Sequence, residues 1–341
     1  SPGAHQDLAI VMAGTPSKVR FLTLIGGVIQ NALTHDVTVG NNAQAPVAAD
    51  FDKDGDLDLV VLNRGAAQFQ LLRNDGTGNF QVQAAQPASI IGTSATAELD
   101  ATAGDLNGDG IPDLVITQGE RPPGGVQILI NNGTGASFSS QTVLSDFAIR
   151  APAIADINYD SQPDVMFATS YPSNKVIVLL NGGQGKFTYS ANGKDAAEVP
   201  TSGVGRDVVT YDSDGNGYSD ILVSLPVSSF GLPRISVIQN SGALQIKPYD
   251  LIASARTGPL RLADVNGDNL ADLMTTAAAD GLGIFLARAS TGITESQPQR
   301  QATGCAMDAQ NFVAADFNQD GRTDLVVQAP GCLRLLVNQS K

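Results

Sequence analysis

The sequence predicts an all-β fold built from repeats, and two observations carry that prediction. First, the nine-residue pattern D-x-[DN]-x-[DN]-x-x-x-D recurs with its first aspartates 51 to 56 residues apart, a period typical of repeat architectures. Second, each period divides into short apolar or alternating runs separated by Asp- and Gly-rich turns, without a sustained helical period. The six copies are Asp50–Asp58, Asp105–Asp113, Asp156–Asp164, Asp212–Asp220, Asp264–Asp272 and Asp316–Asp324.

Each repeat reads as four short strands, which is the signature of one blade of a β-propeller. The residues before the first aspartate are mostly small, as in Ala48-Ala49 and Ala103-Gly104, and small side chains suit innermost strands that crowd around one axis. Tyr211 departs from this pattern. In the first complete repeat the predicted strands are Ala45–Phe51, Leu57–Leu62, Phe69–Arg73 and Asn79–Ala84.

The number of repeats predicts seven blades in a single domain spanning residues 1–341. Complete repeats begin near residues 46, 101, 152, 207, 259 and 312, and residues 1–45 form a partial first repeat. Asp7 and the apolar run after it lie one period before Asp58 and its run. We therefore expect a seven-bladed β-propeller of four-stranded antiparallel blades. Its first blade should lack the innermost strand in sequence, and its last blade the outermost.

Composition restricts the possible partners. The net charge of −14 disfavours nucleic acid and anionic lipid as partners, and no apolar run reaches the 18 residues of a membrane span. The six motifs hold 20 of the 34 acidic residues, so six divalent ions would leave a net charge of about −2. The acidity therefore indicates metal sites rather than a surface for a basic partner. We expect a monomer.

Two cysteines fall in the last predicted blade. Cys305 lies in the loop that enters the blade and Cys332 in the loop between its second and third strands, which share one face of a four-stranded blade. A disulfide is therefore reasonable, and two free buried thiols are the alternative. The bond would imply an oxidising compartment, and we expect an extracellular or cell-surface protein.

The aspartate motif has the chemistry of a calcium loop. Calcium binds six to eight oxygens, and a tight loop can present side chains 1, 3 and 5, the carbonyl of residue 7 and the carboxylate of residue 9. In the first complete copy these are Asp50, Asp52, Asp54, Asp56 and Asp58, with Gly55 allowing the sharp turn. An EF-hand is excluded, because position 12 is never Glu and the loops run directly into apolar strands.

The pattern D-x-[DN]-x-D-G-x-x-D-[LI]-[VL]-V, followed by an N-x-G-x-G-x-F turn, resembles the FG-GAP/VCBS repeats of integrin α-subunit-type propellers. The resemblance covers essentially the whole chain and implies up to six structural calcium ions. The implied side-chain ligands are Asp50, Asp52, Asp54, Asp58, Asp105, Asn107, Asp109, Asp113, Asp156, Asn158, Asp160, Asp164, Asp212, Asp214, Asn216, Asp220, Asp264, Asn266, Asp268, Asp272, Asp316, Asn318, Asp320 and Asp324. The implied carbonyl ligands are those of Asp56, Ile111, Gln162, Tyr218, Leu270 and Arg322.

Two kinds of departure from the pattern affect these expectations. Ser161 and Asn269 replace the turn glycine, and Ser tolerates positive φ less well than Asn, so the Asp156 site is expected to be the weakest. In the partial first repeat Ser1 and Gly3 occupy positions 3 and 5, so no calcium is expected beside Asp7.

The sequence favours a binding or adhesion module for a glycan or protein over an enzyme. His5 and His35 have no Cys/His neighbours at zinc spacing, and no nucleophile elbow or phosphate-binding loop is present. By the resemblance, partners would bind opposite the calcium loops, where Arg121, Tyr171 and Phe230 are candidate contacts. A polysaccharide lyase and a structural domain of a larger surface protein are the alternatives.

Overall fold

The computed structural model contains seven antiparallel sheets, in agreement with the predicted seven-bladed β-propeller. In the part of the chain it describes, no helix is long and apolar enough to cross a membrane. The chain divides into two compact units, residues 1–22 with 31–199 and residues 23–30 with 200–341. The structure describes residues 6–30, 34–89, 98–119, 125–144, 148–171, 173–189, 196–226, 233–242, 246–252, 258–277, 281–288, 293, 299–302, 304–305 and 311–339.

The strands follow the repeat. Those of the first four blades are β1 (Gln6–Met12), β2 (Lys18–Ile25), β3 (Val28–Ile29), β4 (His35–Thr38), β5 (Ala43–Ala49), β6 (Asp58–Asn63), β7 (Gln68–Asn74), β8 (Phe80–Val82), β9 (Gln86–Pro87), β10 (Leu99–Gly104), β11 (Asp113–Gln118), β12 (Gly125–Asn131), β13 (Phe138–Leu144), β14 (Ala148–Ala155), β15 (Asp164–Tyr171), β16 (Lys175–Leu179) and β17 (Ala196–Pro200). Those of the last three are β18 (Asp207–Tyr211), β19 (Asp220–Leu225), β20 (Arg234–Asn240), β21 (Ile246–Ile252), β22 (Leu260–Ala263), β23 (Asp272–Ala277), β24 (Gly281–Phe285), β25 (Gln299–Ala302), β26 (Asn311–Ala315), β27 (Asp324–Ala329) and β28 (Cys332–Leu336).

The third blade illustrates the common plan. Its strands pair antiparallel in the order β10-β11-β12-β13, and the last aspartate of the metal-loop motif, Asp113, is the first residue of the second strand. Every residue of β11 is buried, which explains its nearly continuous apolar run. The second and third blades pack on each other, so Phe51 and Leu71 of the second blade share a core with Leu114 of the third.

Within the described residues, the first blade has no innermost strand and the last blade no outermost strand, as predicted. In the first blade β1 pairs with β2, and β3 and β4 both pair with β2, so β1 occupies the place of a second strand. The last blade is the three-stranded sheet β26-β27-β28. The expectation of a single domain is not tested by these sheets and stays a prediction.

The departure at Tyr211 has a structural reason. Its hydroxyl accepts a hydrogen bond from the backbone N–H of Ala271, 3.1 Å away in the next calcium-type loop. A small residue at this position could not reach that loop. The large side chain therefore adds a contact between two successive blades.

The predicted disulfide is present. Cys305 and Cys332 are bonded with their Cα atoms 6.0 Å apart, and Cys305 is buried. The bond ties the segment that follows β25 to the first residue of β28.

Replacing both cysteines by serine is expected to destabilise the protein by about 3–4 kcal/mol, because the bond closes a loop of 28 residues in the unfolded chain. Urea unfolding of wild type and variant, with and without reductant, measures this difference. Reductant should lower the wild-type midpoint and leave the variant unchanged. Equal midpoints for the two oxidised proteins would contradict the prediction.

Candidate metal centres

The six aspartate loops share one backbone conformation, built around the carboxylate at position 1. In the loop of the third blade, Asp105 accepts hydrogen bonds from the backbone N–H groups of Asp109 (3.2 Å) and Gly110 (2.7 Å). The N–H of Asp109 also reaches the Asn107 side-chain oxygen (3.0 Å), and that of Ile111 reaches the Asp109 carboxylate (2.8 Å). The same four bonds occur in the other five loops.

Two loop positions, 4 and 6, have positive φ. Sequence reasoning identified position 6, where Ser161 (φ 69°) and Asn269 (φ 66°) adopt the conformation of the glycines. The N–H of Ser161 still reaches Asp156 at 2.8 Å, so the serine does not change the loop geometry. Sequence reasoning missed position 4, and its signal was a glycine in three of six copies. The residues at position 4 are Lys53, Gly108, Tyr159, Gly215, Gly267 and Gln319.

The aspartate at position 9 joins each loop to the rest of its blade. In the third blade one Asp113 oxygen accepts the N–H of Leu106, at loop position 2, and the other accepts the N–H of Asn131, at the end of the third strand, both at 2.8 Å. The six equivalents are all buried and make the same pair of bonds. The position-9 aspartate, which the sequence predicts to be a metal ligand, therefore also links the loop to the second and third strands.

Burial changes the acidity of three of these carboxylates. The pKa of Asp58, Asp113 and Asp164 is raised to about 6, chiefly by desolvation, and the negative charges of other aspartates in each loop contribute to the rise. The backbone hydrogen bonds act in the opposite direction and do not cancel the desolvation. Without a cation, the ionised loop is thus electrostatically unfavourable.

In three blades the asparagine at the end of the third strand connects the aspartate loop of the preceding blade to its own blade. The side-chain amide of Asn131 donates to the carbonyl of Phe51, at position 2 of the loop in the preceding blade. Asn181 does the same to Leu106, and Asn338 to Val265, each at 2.8 Å. Sequence reasoning assigned Asn131 and Asn181 only to turns, because partners 75 to 80 residues away leave no local signal.

The residue type at loop position 3 correlates with that of one residue in the third strand. This third-strand residue comes just before the one whose N–H bonds the position-9 aspartate. Where position 3 is Asp, the third strand supplies a polar partner: Arg73 forms an ion pair with Asp52, and Gln239 donates to Asp214 at 3.0 Å. Where position 3 is Asn, the third-strand residue is apolar. The aspartate at position 3 therefore has a hydrogen-bond donor from its own blade, which is charged in the case of Arg73 and neutral in the case of Gln239. The four apolar residues are Ile130, Leu180, Leu286 and Val337.

The donor groups fit a hard divalent cation. In two loops the carboxylate atoms lie within 4.8 Å of one another, those of Asp50, Asp52 and Asp54 and those of Asp212, Asp214 and Asp220. In the four loops with Asn at position 3, the side-chain NH2 group of the Asn donates a hydrogen bond to the position-5 carboxylate. The side-chain oxygen of the Asn then lies near the carboxylates of the loop. All of these ligand atoms are oxygens, the ligand type that calcium and magnesium prefer.

The loops lead into strands, with Asp58 and its equivalents as the first residues of second strands, which agrees with the exclusion of an EF-hand. Most of the other predicted positions lie outside the described residues. Tyr171 is the last residue of β15, whereas Arg121 and Phe230 lie outside the described residues, as do Ser1, Gly3 and His5. The expected absence of calcium beside Asp7 stays a prediction.

Comparison with known proteins identifies the repeat. A family model described as an FG-GAP-like repeat matches residues 50–116, 105–167, 156–223 and 264–327. No curated protein matches the chain significantly.

Solved structures with the same fold span nearly the whole chain. An Agrocybe aegerita lectin, described as recognising non-reducing terminal N-acetylglucosamine, has a TM-score of 0.61 at 16% identity, covering 99% of this chain and 91% of the lectin. A functionally unknown protein from Desulfotomaculum acetoxidans has a TM-score of 0.66 at 14% identity, covering 97% of this chain and 92% of that protein. At these identities the likeness establishes the fold alone.

The pKa shifts predict an unusual pH dependence for the metal-free protein. Because the folded state keeps protons on Asp58, Asp113 and Asp164 that the unfolded chain releases near pH 4, their stabilisation is present at low pH and lost as the pH rises through about 6. In EGTA the melting temperature should therefore be higher at pH 5 than at pH 7.5.

Calcium should reverse this trend, because its ligands must be deprotonated. The gap in melting temperature between calcium and EGTA is expected to be largest at pH 7.5 and to narrow at pH 5. Differential scanning calorimetry at both pH values measures it. A metal-free melting temperature that falls on going from pH 7.5 to pH 5 would contradict the assignment of the raised pKa values.

Proposed function

Because the chain belongs to the family of FG-GAP-like repeats, we propose that it is a calcium-binding propeller that acts outside the cell as a non-catalytic binding module for a glycan or protein. The observation that carries the proposal is the single conformation shared by six loops. Each gathers three to five acidic side chains, and its backbone N–H groups hold the position-1 carboxylate in place, as those of Asp109 and Gly110 do for Asp105.

Calcium is the cation that suits this donor set. The side chains at positions 1, 3, 5 and 9 and the carbonyl at position 7 would hold it, and the ion would supply the positive charge that the loop lacks. The raised pKa of Asp58, Asp113 and Asp164, all at position 9, supports this, because these carboxylates are costly to ionise without a nearby cation. Six ions would also account for most of the net charge of −14.

The ions have a structural role in this proposal. The ligand at position 9 is bonded to the third strand, and position 2 of the same loop accepts a hydrogen bond from the next blade through Asn131, Asn181 or Asn338. Ordering one loop therefore orders a junction between two blades. Binding free energy of calcium would then appear as folding free energy.

Partner binding is assigned to the opposite ends of the blades, where the loops vary in length and sequence. A rigid sheet that carries variable loops is a common arrangement for binding sites. Arg121, Tyr171 and Phe230 come from three of these loops and are of the types enriched at binding hot spots. The lectin with the same fold supports a glycan as the first ligand class to test.

The disulfide and the calcium loops together support an extracellular location. A disulfide such as that between Cys305 and Cys332 is typical of oxidising compartments. Loops with all-oxygen ligands are readily filled at the millimolar calcium concentrations found outside cells, the range of extracellular calcium modules.

The metal half of the proposal is tested by a pair of variants in one loop. Asp54→Ala removes a proposed side-chain ligand, whereas Asp56→Ala removes the same charge from a residue that offers only its carbonyl. Calcium should raise the melting temperature of wild type and of Asp56→Ala by the same amount, and that of Asp54→Ala by less. Equal increments in all three proteins, or no increment in wild type, would contradict a calcium site in this loop.

The binding half is tested on an array of glycans that includes N-acetylglucosamine-terminated members, probed in calcium and in EGTA. We expect binding in calcium that Tyr171→Ala or Phe230→Ala weakens about tenfold or more, as for aromatic hot spots. Tyr159→Ala, an exposed tyrosine in a metal loop, is the matched control and should bind like wild type. Equal weakening by the control would place the partner on the metal loops instead, and absence of binding would remove glycans as the ligand class.

A further inference from the structure

The aspartate loop of the second blade carries one more carboxylate at its ligand positions than the other five loops. Its four predicted side-chain ligands are all aspartates, namely Asp50, Asp52, Asp54 and Asp58, whereas each of the other loops has three aspartates and one asparagine. The carboxylate oxygens of the first three lie within 4.8 Å of one another. Because like charges at such distances repel, the fourth carboxylate makes this loop the most unfavourable of the six without a cation.

Arg73 supplies a positive charge to this loop. It lies in the third strand β7, and its guanidinium forms an ion pair with Oδ2 of Asp52. The Asp52 side chain is only 1% exposed, so solvent screens this pair less than a surface pair. The second carboxylate oxygen, Oδ1, accepts the N–H of Asp54 at 3.3 Å. Arg73 therefore neutralises one of the four charges through one oxygen of Asp52 and leaves the other oxygen on the loop side.

The equivalent third-strand residue is uncharged in the other five blades. In the fifth blade it is Gln239, which donates to Asp214 at 3.0 Å, and in the remaining four it is apolar. Within the loop of the last blade Arg322 lies 3.9 Å from Asp320, but that carboxylate is 34% exposed and its pair is more strongly screened. In the described loops, an arginine on a buried ligand thus accompanies the fourth carboxylate.

We propose that Arg73 is an internal counter-charge that sets the calcium affinity of the loop in the second blade, an inference that rests on the calcium-binding function proposed above. Four aspartates and one arginine give this ligand set the net charge of −3 that three aspartates give each of the others. Arg73 lowers the affinity of the loop to the range of a three-carboxylate site, because ligand charge is one determinant of calcium affinity. It also stabilises the loop while no calcium is bound.

Arg73→Gln tests the proposal, because it installs the side chain that Gln239 provides to Asp214 in the fifth blade. Equilibrium dialysis of the full chain against graded free calcium is the measurement. Comparing each protein with its Asp54→Ala derivative isolates the ion bound by this loop. We expect Arg73→Gln to lower the free calcium concentration at half-saturation of that ion by about tenfold or more, the scale of a unit charge close to a divalent ion.

Arg20→Gln is the matched control. Arg20 has the same side-chain exposure as Arg73, 43%, and also forms an ion pair with an aspartate, Asp36. Both Arg20 and Asp36 lie in strands of the first blade, outside the six aspartate loops. The control should leave half-saturation unchanged. In EGTA, Arg73→Gln should lower the melting temperature by more than the control does.

A double variant separates the effect of charge from a folding defect. Asp52→Asn combined with Arg73→Leu recreates the asparagine–apolar pair found in four other blades and keeps the charge of the ligand set at −3. Its half-saturation should return to near the wild-type value. An unchanged or higher half-saturation concentration in Arg73→Gln, or a double variant that binds as tightly as Arg73→Gln, would overturn the proposal.

Failure of the calcium site itself gives a different result. If the wild-type chain and Asp54→Ala bind the same number of ions, the loop of the second blade binds no calcium. The proposed function then fails for this loop, and the role of Arg73 fails with it. If Asp54→Ala binds one ion fewer and Arg73→Gln has no effect on half-saturation, only the role of Arg73 is wrong.

Discussion

The structure depends on one buried carboxylate in each complete repeat. The aspartate at position 9 accepts one backbone N–H from its own loop and one from the third strand, at 2.8 Å each in the case of Asp113. It therefore fixes the loop, the second strand and the third strand relative to one another. Because it is buried among other aspartates, its charge is unfavourable unless a cation shares the loop. The metal loop and the blade are thus one structural element.

The asparagine that ends the third strand extends this element to the neighbouring blade. Its backbone N–H bonds the position-9 carboxylate, and its side chain bonds the preceding loop in the cases of Asn131, Asn181 and Asn338. A cation bound in one of these loops would then be linked through two hydrogen bonds to the next loop. This gives a physical reason for the repetition of one short motif at one end of every complete blade.

Much of the fold could be predicted from the sequence because each repeat contains its own local signals. In the first complete repeat the motif, the turns and the apolar runs predicted the four strands to within two residues. The predicted disulfide is present, although Cys332 is the first residue of β28 and not part of the preceding loop. The contacts between repeats could not be predicted, because Asn131 and Phe51 are far apart in sequence. The correlation of Asp52 with Arg73 was present in the sequence, but only the structure revealed that the two side chains meet.

The repeat does not identify a partner, because the loops that differ between blades follow no common pattern. The repeat predicts that each complete aspartate loop binds one calcium ion. Equilibrium dialysis of the folded chain against millimolar calcium, followed by elemental analysis, measures this directly. If each complete loop binds one ion, we expect about six ions per chain and one fewer in Asp54→Ala. One ion or none per folded chain would contradict it.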